Sequence, residues 1–70
     1  MSRSEILSVL SANLNMSFTE TDVIENIADW DSLSWLQLVV TIGDKFSKTL
    51  SFGELQSFKT IKDIVDFIVK

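Results

Sequence analysis

Apolar residues recur at helical spacing near both ends of the chain. In the first stretch they stand at Ile6, Leu7, Leu10 and Leu14. This spacing predicts a helix over roughly residues 3–14. Near the other end they stand at Ile61, Ile64, Val65 and Ile68. Thr60 precedes this second set as a helix cap, so a final helix is expected there. No window alternates with a period of two over a convincing length, and strands are therefore not expected.

The segment from Ser32 to about Ser47 is the most apolar helix candidate. At 100° per residue its polar positions form one stripe, made of Ser34, Gln37, Thr41, Asp44, Lys45 and Lys48. The remaining positions are apolar: Leu33, Trp35, Leu36, Leu38, Val39, Val40, Ile42 and Phe46. A helix this apolar is either central in a bundle or partly covered by a partner or ligand. Gly43 falls within the apolar arc and would allow a neighbour to approach closely.

Capping patterns complete the predicted architecture. Ser2 and Glu5 form a capping box before the first helix, and Ser51 and Glu54 open a short helix through about Ser57. Residues 15–31 lack a sustained period, but three apolar side chains would hold part of them to the core: Val23, Ile24 and Ile27. We therefore predict an all-α fold, a small bundle of three main helices and one short helix. It forms one domain over residues 1–70.

Composition excludes several classes of function. The 70 residues include no cysteine and no histidine, which removes Ser-His-Asp and Cys-His nucleophile systems and His/Cys zinc sites. The net charge is −4, and residues 15–31 carry five acids and no base. An acidic surface disfavours nucleic acid and anionic membranes and favours basic protein partners, particularly at residues 20–31. The pattern shows no targeting segment or membrane span, so a cytoplasmic protein is expected.

The candidate for chemistry is Asp31-Ser32-Leu33, where the acidic segment meets the apolar helix. On one interpretation Asp31 or Ser32 simply caps that helix. On the other, Ser32 carries an anionic group whose charge is stabilised by the amides and dipole of the helix N-terminus. No internal base exists to activate the hydroxyl, so a separate enzyme would have to install that group. No metal site is expected.

These residues resemble the acyl carrier protein family, in which Asp-Ser-Leu is the phosphopantetheine attachment motif. The resemblance extends without a gap through Leu36–Phe46, Leu50 and Thr60-Ile61 to Phe67-Ile68. It implies a four-helix bundle whose second helix starts at the modified serine. A separate magnesium-dependent phosphopantetheinyl transferase would attach 4′-phosphopantetheine from coenzyme A to Ser32, with Asp31 presenting the serine and engaging that enzyme's metal. Its thiol would hold an acyl or aminoacyl group as a thioester for loading and synthase enzymes, and a monomer is expected.

Departures from the family pattern bear on the pathway. Trp30-Asp31-Ser32-Leu33 is similar to free-standing carriers of polyketide, peptide or other specialised pathways. The second helix has Gln37, Thr41 and Gly43 where fatty-acid carriers often have acids. By resemblance a cargo pocket would be lined by Val39, Ile42, Phe46, Leu50, Leu55, Phe58, Ile61 and Ile64. Leu55 and Ile64 replace the smaller alanines common there, which favours a short or polar cargo.

The sequence leaves open the role of Trp35 and the class of function. Trp35 follows Ser32 by about one helical turn, so it either flanks the arm or anchors the core. The alternative to a carrier is a small helical interaction module that presents the apolar second helix and has no prosthetic group. A small hydrolase acting through Ser32 would need a base that the chain lacks.

Overall fold

The computed structural model describes residues 2–70; Met1, part of the predicted domain, lies outside them. Its elements are helices α1 (Arg3–Leu14), α2 (Ser32–Phe46), α3 (Phe52–Ser57) and α4 (Ile61–Val69), with a 3₁₀ turn at Ile24–Asn26 between α1 and α2. The predicted all-α bundle with one short helix is confirmed. Within the described residues, no helix combines the length and the apolar character needed to cross a membrane.

Each α-helix begins with a reciprocal capping box. The pairs are Ser2 with Glu5, Asp31 with Ser34, Ser51 with Glu54 and Thr60 with Asp63. In every pair the first side chain accepts a hydrogen bond from the third helical amide, which would otherwise lack a partner. The helix starts expected at Ser2, Ser51 and Thr60 are therefore confirmed. Helices α1 and α2 end at residues in the left-handed region, Asn15 and Ser47, both with φ of 55°.

The core lies where α1 packs against α2 and α4. Its buried members are Ile6, Leu10, Leu14, Phe18, Ile24, Leu38, Ile42, Phe58, Ile61, Ile64, Val65 and Ile68. The short helix α3 contributes no fully buried residue. It rests on the bundle through Leu55, which is partly buried against the core. This helix is therefore a surface element beside the start of α4.

The long connection between α1 and α2 is tied to the start of α4. The backbone amide of Ile24 donates to the carbonyl of Lys59 at 2.9 Å, and the amide of Ile61 donates to Asp22 at 3.0 Å. The amide of Lys62 donates to Glu20 at 2.9 Å. The side chain of Ile24 is buried, as predicted, while Ile27 is partly buried and Val23 is 36% exposed. The connection is therefore held by these backbone hydrogen bonds together with the side chains of Ile24 and Ile27, and Val23 contributes less than predicted.

The side of helix α2 that faces solvent is not the polar stripe that the sequence shows. Two members of that stripe are buried, Ser34 and Thr41. Their hydroxyls are satisfied locally, because Ser34 bonds Asp31 and the amide of Gln37 lies 3.5 Å from the hydroxyl of Thr41. Three apolar residues face solvent instead: Leu33 at 69%, Leu36 at 60% and Val40 at 54% exposure. We call these three residues the exposed α2 face.

The expectation of a close approach at Gly43 is wrong. Gly43 is exposed, and a Cβ added there would meet only the carbonyl oxygen of Lys48 at 3.9 Å, an ordinary contact. Its φ is not positive. Nothing in the structure therefore requires glycine at this position, and it weakens the helix by about 1 kcal/mol relative to alanine.

Candidate functional site

Asp31 is the N-cap of α2, and its carboxylate is held by Ser34. The oxygen Oδ1 accepts hydrogen bonds from the Ser34 amide at 3.0 Å and from the Ser34 hydroxyl at 3.2 Å. The Asp31 amide donates to the same hydroxyl at 3.3 Å. No hydrogen bond within residues 2–70 reaches the second oxygen, Oδ2, of this exposed side chain. The capping interpretation is therefore correct for Asp31, and it leaves one carboxylate oxygen free.

Ser32 is the first residue of α2, so Asp31 rather than Ser32 is the cap. Ser32 is exposed, and its hydroxyl makes no hydrogen bond within the described part of the chain. It lies at the positive end of the helix dipole, where the first amides have no intrahelical partner and an anionic group is stabilised. Leu33 beside it is also exposed. The structure thus presents Ser32 to solvent in a place suited to a phosphate ester.

The acidic residues of the connection fall into two groups. Glu20 is bound by Arg3, and Asp22 accepts a hydrogen bond from the Thr19 amide at 2.8 Å. The side chains of Glu25, Asp29 and Asp31 are exposed and make no ion pair within residues 2–70. The negative charge available to a partner is therefore concentrated at the end of the connection nearest Ser32.

Two surface grooves meet at Ser32. The first, the polar groove, has a volume of about 530 Å³ and is lined by Val23, Ile24, Glu25, Trp30, Asp31, Ser32, Trp35, Phe58 and Lys59. The second, the apolar groove, has a volume of about 490 Å³ and is lined by Ser32, Trp35, Phe52, Leu55, Gln56 and Phe58. Ser32, Trp35 and Phe58 belong to both. Any group attached at Ser32 therefore starts between two grooves with different chemistry.

Trp35 both packs against the core and faces the grooves. Its ring meets that of Trp30 edge to face, with centroids 5.2 Å apart and an interplanar angle of 81°. It is partly buried against the core cluster. The indole nitrogen of Trp30 is buried and has no hydrogen-bond partner within residues 2–70. The two roles considered for Trp35 from the sequence are thus compatible, because the same side chain packs against the core and lines both grooves.

The residues expected to line a cargo pocket do not share one environment. Three are closed in the core: Ile42, Ile61 and Ile64, each no more than 1% exposed. Phe46, Leu50 and Leu55 are partly buried against it, and Val39 is half-buried. Of all eight, Leu55 and the buried Phe58 are the two that line a groove with Ser32.

Two residues at these grooves, Phe52 and Trp30, were missed from the sequence as site residues. The capping box at Ser51 places Phe52 in the first turn of α3, where it remains 73% exposed. The sequence did not predict this exposure, because a helix of six residues is too short for its apolar spacing to show which side faces solvent. Trp30 stands next to the motif, and its position in the polar groove depends on how the connection folds back.

Comparisons with known proteins agree with this site. The sequence pattern of the family described as "Phosphopantetheine attachment site" matches residues 4–68. An acyl carrier protein of Kocuria rhizophila is 36% identical over 58 residues, which cover 83% of this chain and 64% of that protein. An acyl carrier protein of Myxococcus xanthus is 42% identical over 40 residues, covering 57% of this chain and 51% of that protein. No solved structure matches.

The chain spans between half and two thirds of the length of these two relatives. The family match covers nearly all of this chain, including the Asp31-Ser32-Leu33 motif and all four helices apart from the first residue of α1 and the last of α4. Members of this family carry a covalently attached 4′-phosphopantetheine and are carriers rather than enzymes. The chain therefore belongs to the acyl carrier protein family.

Proposed function

We propose that this chain carries an acyl or aminoacyl group on a 4′-phosphopantetheine arm attached to Ser32. The observation that carries the proposal is the position of Ser32: an exposed, unbonded hydroxyl on the first residue of α2, between two grooves, in a chain of this family. When bound, the arm supplies a flexible thiol, which the cysteine-free chain lacks. Tethering raises the effective concentration of the cargo at the active sites of partner enzymes.

The residues around Ser32 fit such a group. The helix N-terminus would stabilise the phosphate diester, and Lys59 is the one cation among the residues that line the two grooves with Ser32. Asp31 keeps one carboxylate oxygen free while the other caps the helix. This supports a role for Asp31 in presenting Ser32 to the transferase and engaging its metal. The 70 residues would then act as one carrier domain.

The attachment is tested by intact mass. The purified chain is incubated with coenzyme A, magnesium and a broad-specificity phosphopantetheinyl transferase. We expect one phosphopantetheine on the wild type and on Ser17→Ala, since Ser17 is an exposed serine in the connection. We expect none on Ser32→Ala. Circular dichroism checks that both variants are folded. Equal labelling of Ser32→Ala would refute attachment at Ser32 and favour a different residue.

The partners we propose are enzymes with an apolar patch bordered by basic residues. The exposed α2 face begins beside Ser32, so an enzyme that reaches the arm also reaches this face. Carboxylates stand at both ends of it: Asp29 lines a groove with Leu33, and Asp44, 71% exposed, lies one turn beyond Val40. Thr41 is buried and is therefore not a docking position. The face is less acidic than expected for fatty-acid partners, which supports a specialised pathway.

Docking is tested by the kinetics of the transferase reaction. Leu36→Ala removes the centre of the exposed α2 face without touching the core, so stability should change by no more than about 0.5 kcal/mol. We expect a higher KM for the variant carrier and a similar kcat. Val69→Ala, an exposed apolar residue at the end of α4, serves as the matched control and should leave both constants unchanged. An unchanged KM for Leu36→Ala would show that this face does not contact the transferase.

The carrier hypothesis is favoured over an interaction module without a prosthetic group, because the family match implies the group. The exposed α2 face does not distinguish the two hypotheses, because it would bind a partner protein under both. A monomer and a cytoplasmic location remain predictions. If several transferases fail to modify the folded wild type, the interaction module becomes the better proposal.

A further inference from the structure

We infer that Lys59 binds the phosphodiester of the arm attached to Ser32 and holds the start of that arm at the surface of the bundle. The inference deepens the proposed function and rests on attachment at Ser32. It gives a binding role to a residue of the junction between α3 and α4, which is distant from Ser32 in the sequence.

The fold places Lys59 at the groove that Ser32 enters. Both residues line the polar groove, and Lys59 is the one cation in its lining. The backbone of Lys59 is fixed from two sides: its amide donates to Oδ2 of Asp63 at 2.9 Å, and its carbonyl accepts from the amide of Ile24 at 2.9 Å. The residue itself is exposed. The junction therefore holds this lysine beside the groove and leaves its ammonium available.

The ammonium of Lys59 has no structural partner in the described part of the chain. It makes no ion pair and no hydrogen bond there, whereas Arg3 and Lys62 both pair with Asp66. Lys59 also directly precedes Thr60, the N-cap of α4, and a cation is disfavoured at the positive end of a helix dipole. Departures from local preference are expected at functional positions. The position of this lysine is thus better explained by a ligand than by the helix.

Attachment of the arm changes the charge balance of the polar groove. Glu25 and Asp31 line it together with Lys59, so two carboxylates already face one ammonium. A phosphodiester on Ser32 adds a negative charge next to Asp31. Without Lys59 every charge in the lining would repel the phosphate. Lys59 and the free amides at the start of α2 would therefore bind the phosphate from two elements of the fold.

This contact involves the phosphate and not the cargo. The phosphate is common to the unloaded carrier and to every loaded form, so Lys59 should bind it in the same way whatever group the thiol carries. An ion pair between exposed groups is weak and is screened by salt. The contact therefore positions the start of the arm while remaining easy for a partner enzyme to break.

Phosphorus nuclear magnetic resonance tests the contact on the modified carrier. Wild type, Lys59→Gln and Lys59→Arg are modified with coenzyme A, magnesium and the transferase, and intact mass confirms one arm on each. Glutamine removes the charge but keeps the backbone hydrogen bonds of residue 59, so this variant should fold. We expect its phosphodiester signal to be displaced from the wild-type position, and Lys59→Arg to show a smaller displacement. Added salt should move the wild-type signal toward that of Lys59→Gln.

Lys45→Gln is the matched control for the loss of one positive charge. Lys45 is exposed and lines neither groove with Ser32, so this variant should keep the wild-type phosphorus signal. A displacement of the same size in Lys45→Gln would assign the effect to net charge and overturn the inference.

Competitive acetylation gives a second measurement, which needs no variant. A limiting amount of acetic anhydride is added to the wild-type carrier with and without its arm, and acetylation of each lysine is measured by peptide mass spectrometry. We expect Lys59 to react roughly two- to fivefold more slowly once the arm is attached, as an exposed ion pair would cause. Lys45 should react equally in both forms.

The outcomes distinguish this inference from attachment itself. Equal phosphorus signals in wild type and Lys59→Gln, or equal acetylation of Lys59 with and without the arm, would overturn the inference and leave attachment at Ser32 intact. If Lys59→Gln could not be modified, acetylation of the wild type would decide. If intact mass showed no arm on the folded wild type, attachment would be refuted and the inference with it.

Discussion

At the scale of single residues, the central feature is the pair of hydrogen bonds that Ser34 donates to Asp31. Ser34 is buried and ties the Asp31 oxygen Oδ1 to the start of α2, so this carboxylate has a fixed position next to Ser32. In the proposed function, capping and presentation of the serine are therefore two properties of one side chain. Substitutions that keep one property and remove the other can separate them.

We predict that Asp31→Asn and Asp31→Ala differ in stability but share a defect in modification. Asparagine is as good an N-cap as aspartate, so the free energy of unfolding of Asp31→Asn should lie within a few tenths of a kcal/mol of the wild-type value. The alanine variant should lose about 1 kcal/mol. Both remove the negative charge, and we expect kcat/KM for the transferase to fall roughly tenfold or more, the equivalent of about 1.5–3 kcal/mol for a lost bond to a charged group.

Urea unfolding and transferase kinetics on the same preparations supply both measurements. If Asp31→Asn were modified as fast as wild type, the role of Asp31 would be capping alone. If only Asp31→Ala were slow, the defect would follow from loss of the helix start rather than loss of the charge.

At the scale of elements, the start of α4 is the point where the connection, α1 and α4 are joined. The pKa of Asp63 is lowered because its carboxylate accepts hydrogen bonds from the backbone amides of Lys59 and Thr60, at 2.9 and 3.0 Å. The pKa of Asp66 is lowered by its bond to Lys62 at 2.8 Å and then by Arg3. Both carboxylates favour the folded state when they are ionised.

We predict that acid destabilises the protein through these groups. A lowered folded-state pKa means that the stabilisation is fully present above the unfolded value, 3.8 for aspartate, and is lost as the pH falls below it. The urea midpoint should therefore be steady from pH 7 to pH 5 and fall toward pH 3. Asp63→Asn, which cannot titrate but still accepts hydrogen bonds, should show a smaller fall. An equal fall in both proteins would exclude Asp63 as a source of the pH dependence.

The elements were largely predictable from sequence because their signals are local. Helix periodicity and the capping pairs at Ser2 and Ser51 are contained within a few residues, and the structure reproduces them. The orientation of α2 was not predictable, because hydroxyls such as that of Thr41 can be buried once a neighbouring side chain satisfies them. The grooves at Ser32 depend on backbone bonds between the connection and Lys59, which are distant in sequence.

At the scale of the whole molecule, charge and apolar surface converge on one end. The unpaired carboxylates of the connection, the exposed α2 face and both grooves surround Ser32, while Arg3 and Lys62 are engaged in ion pairs around Asp66. A net charge of −4 adds attraction toward basic partners at long range. We therefore expect the end of the bundle that holds Ser32 to be the functional end.

The measurement that tests this account most directly is the location of the modification in the wild-type chain. After reaction with coenzyme A, magnesium and a broad-specificity transferase, the peptide that contains both Ser32 and Ser34 is fragmented in the mass spectrometer. The account predicts one phosphopantetheine on Ser32, because Ser32 is exposed and Ser34 is buried and bonded to Asp31. A phosphopantetheine on any other residue, or none on the folded chain with several transferases, would contradict it.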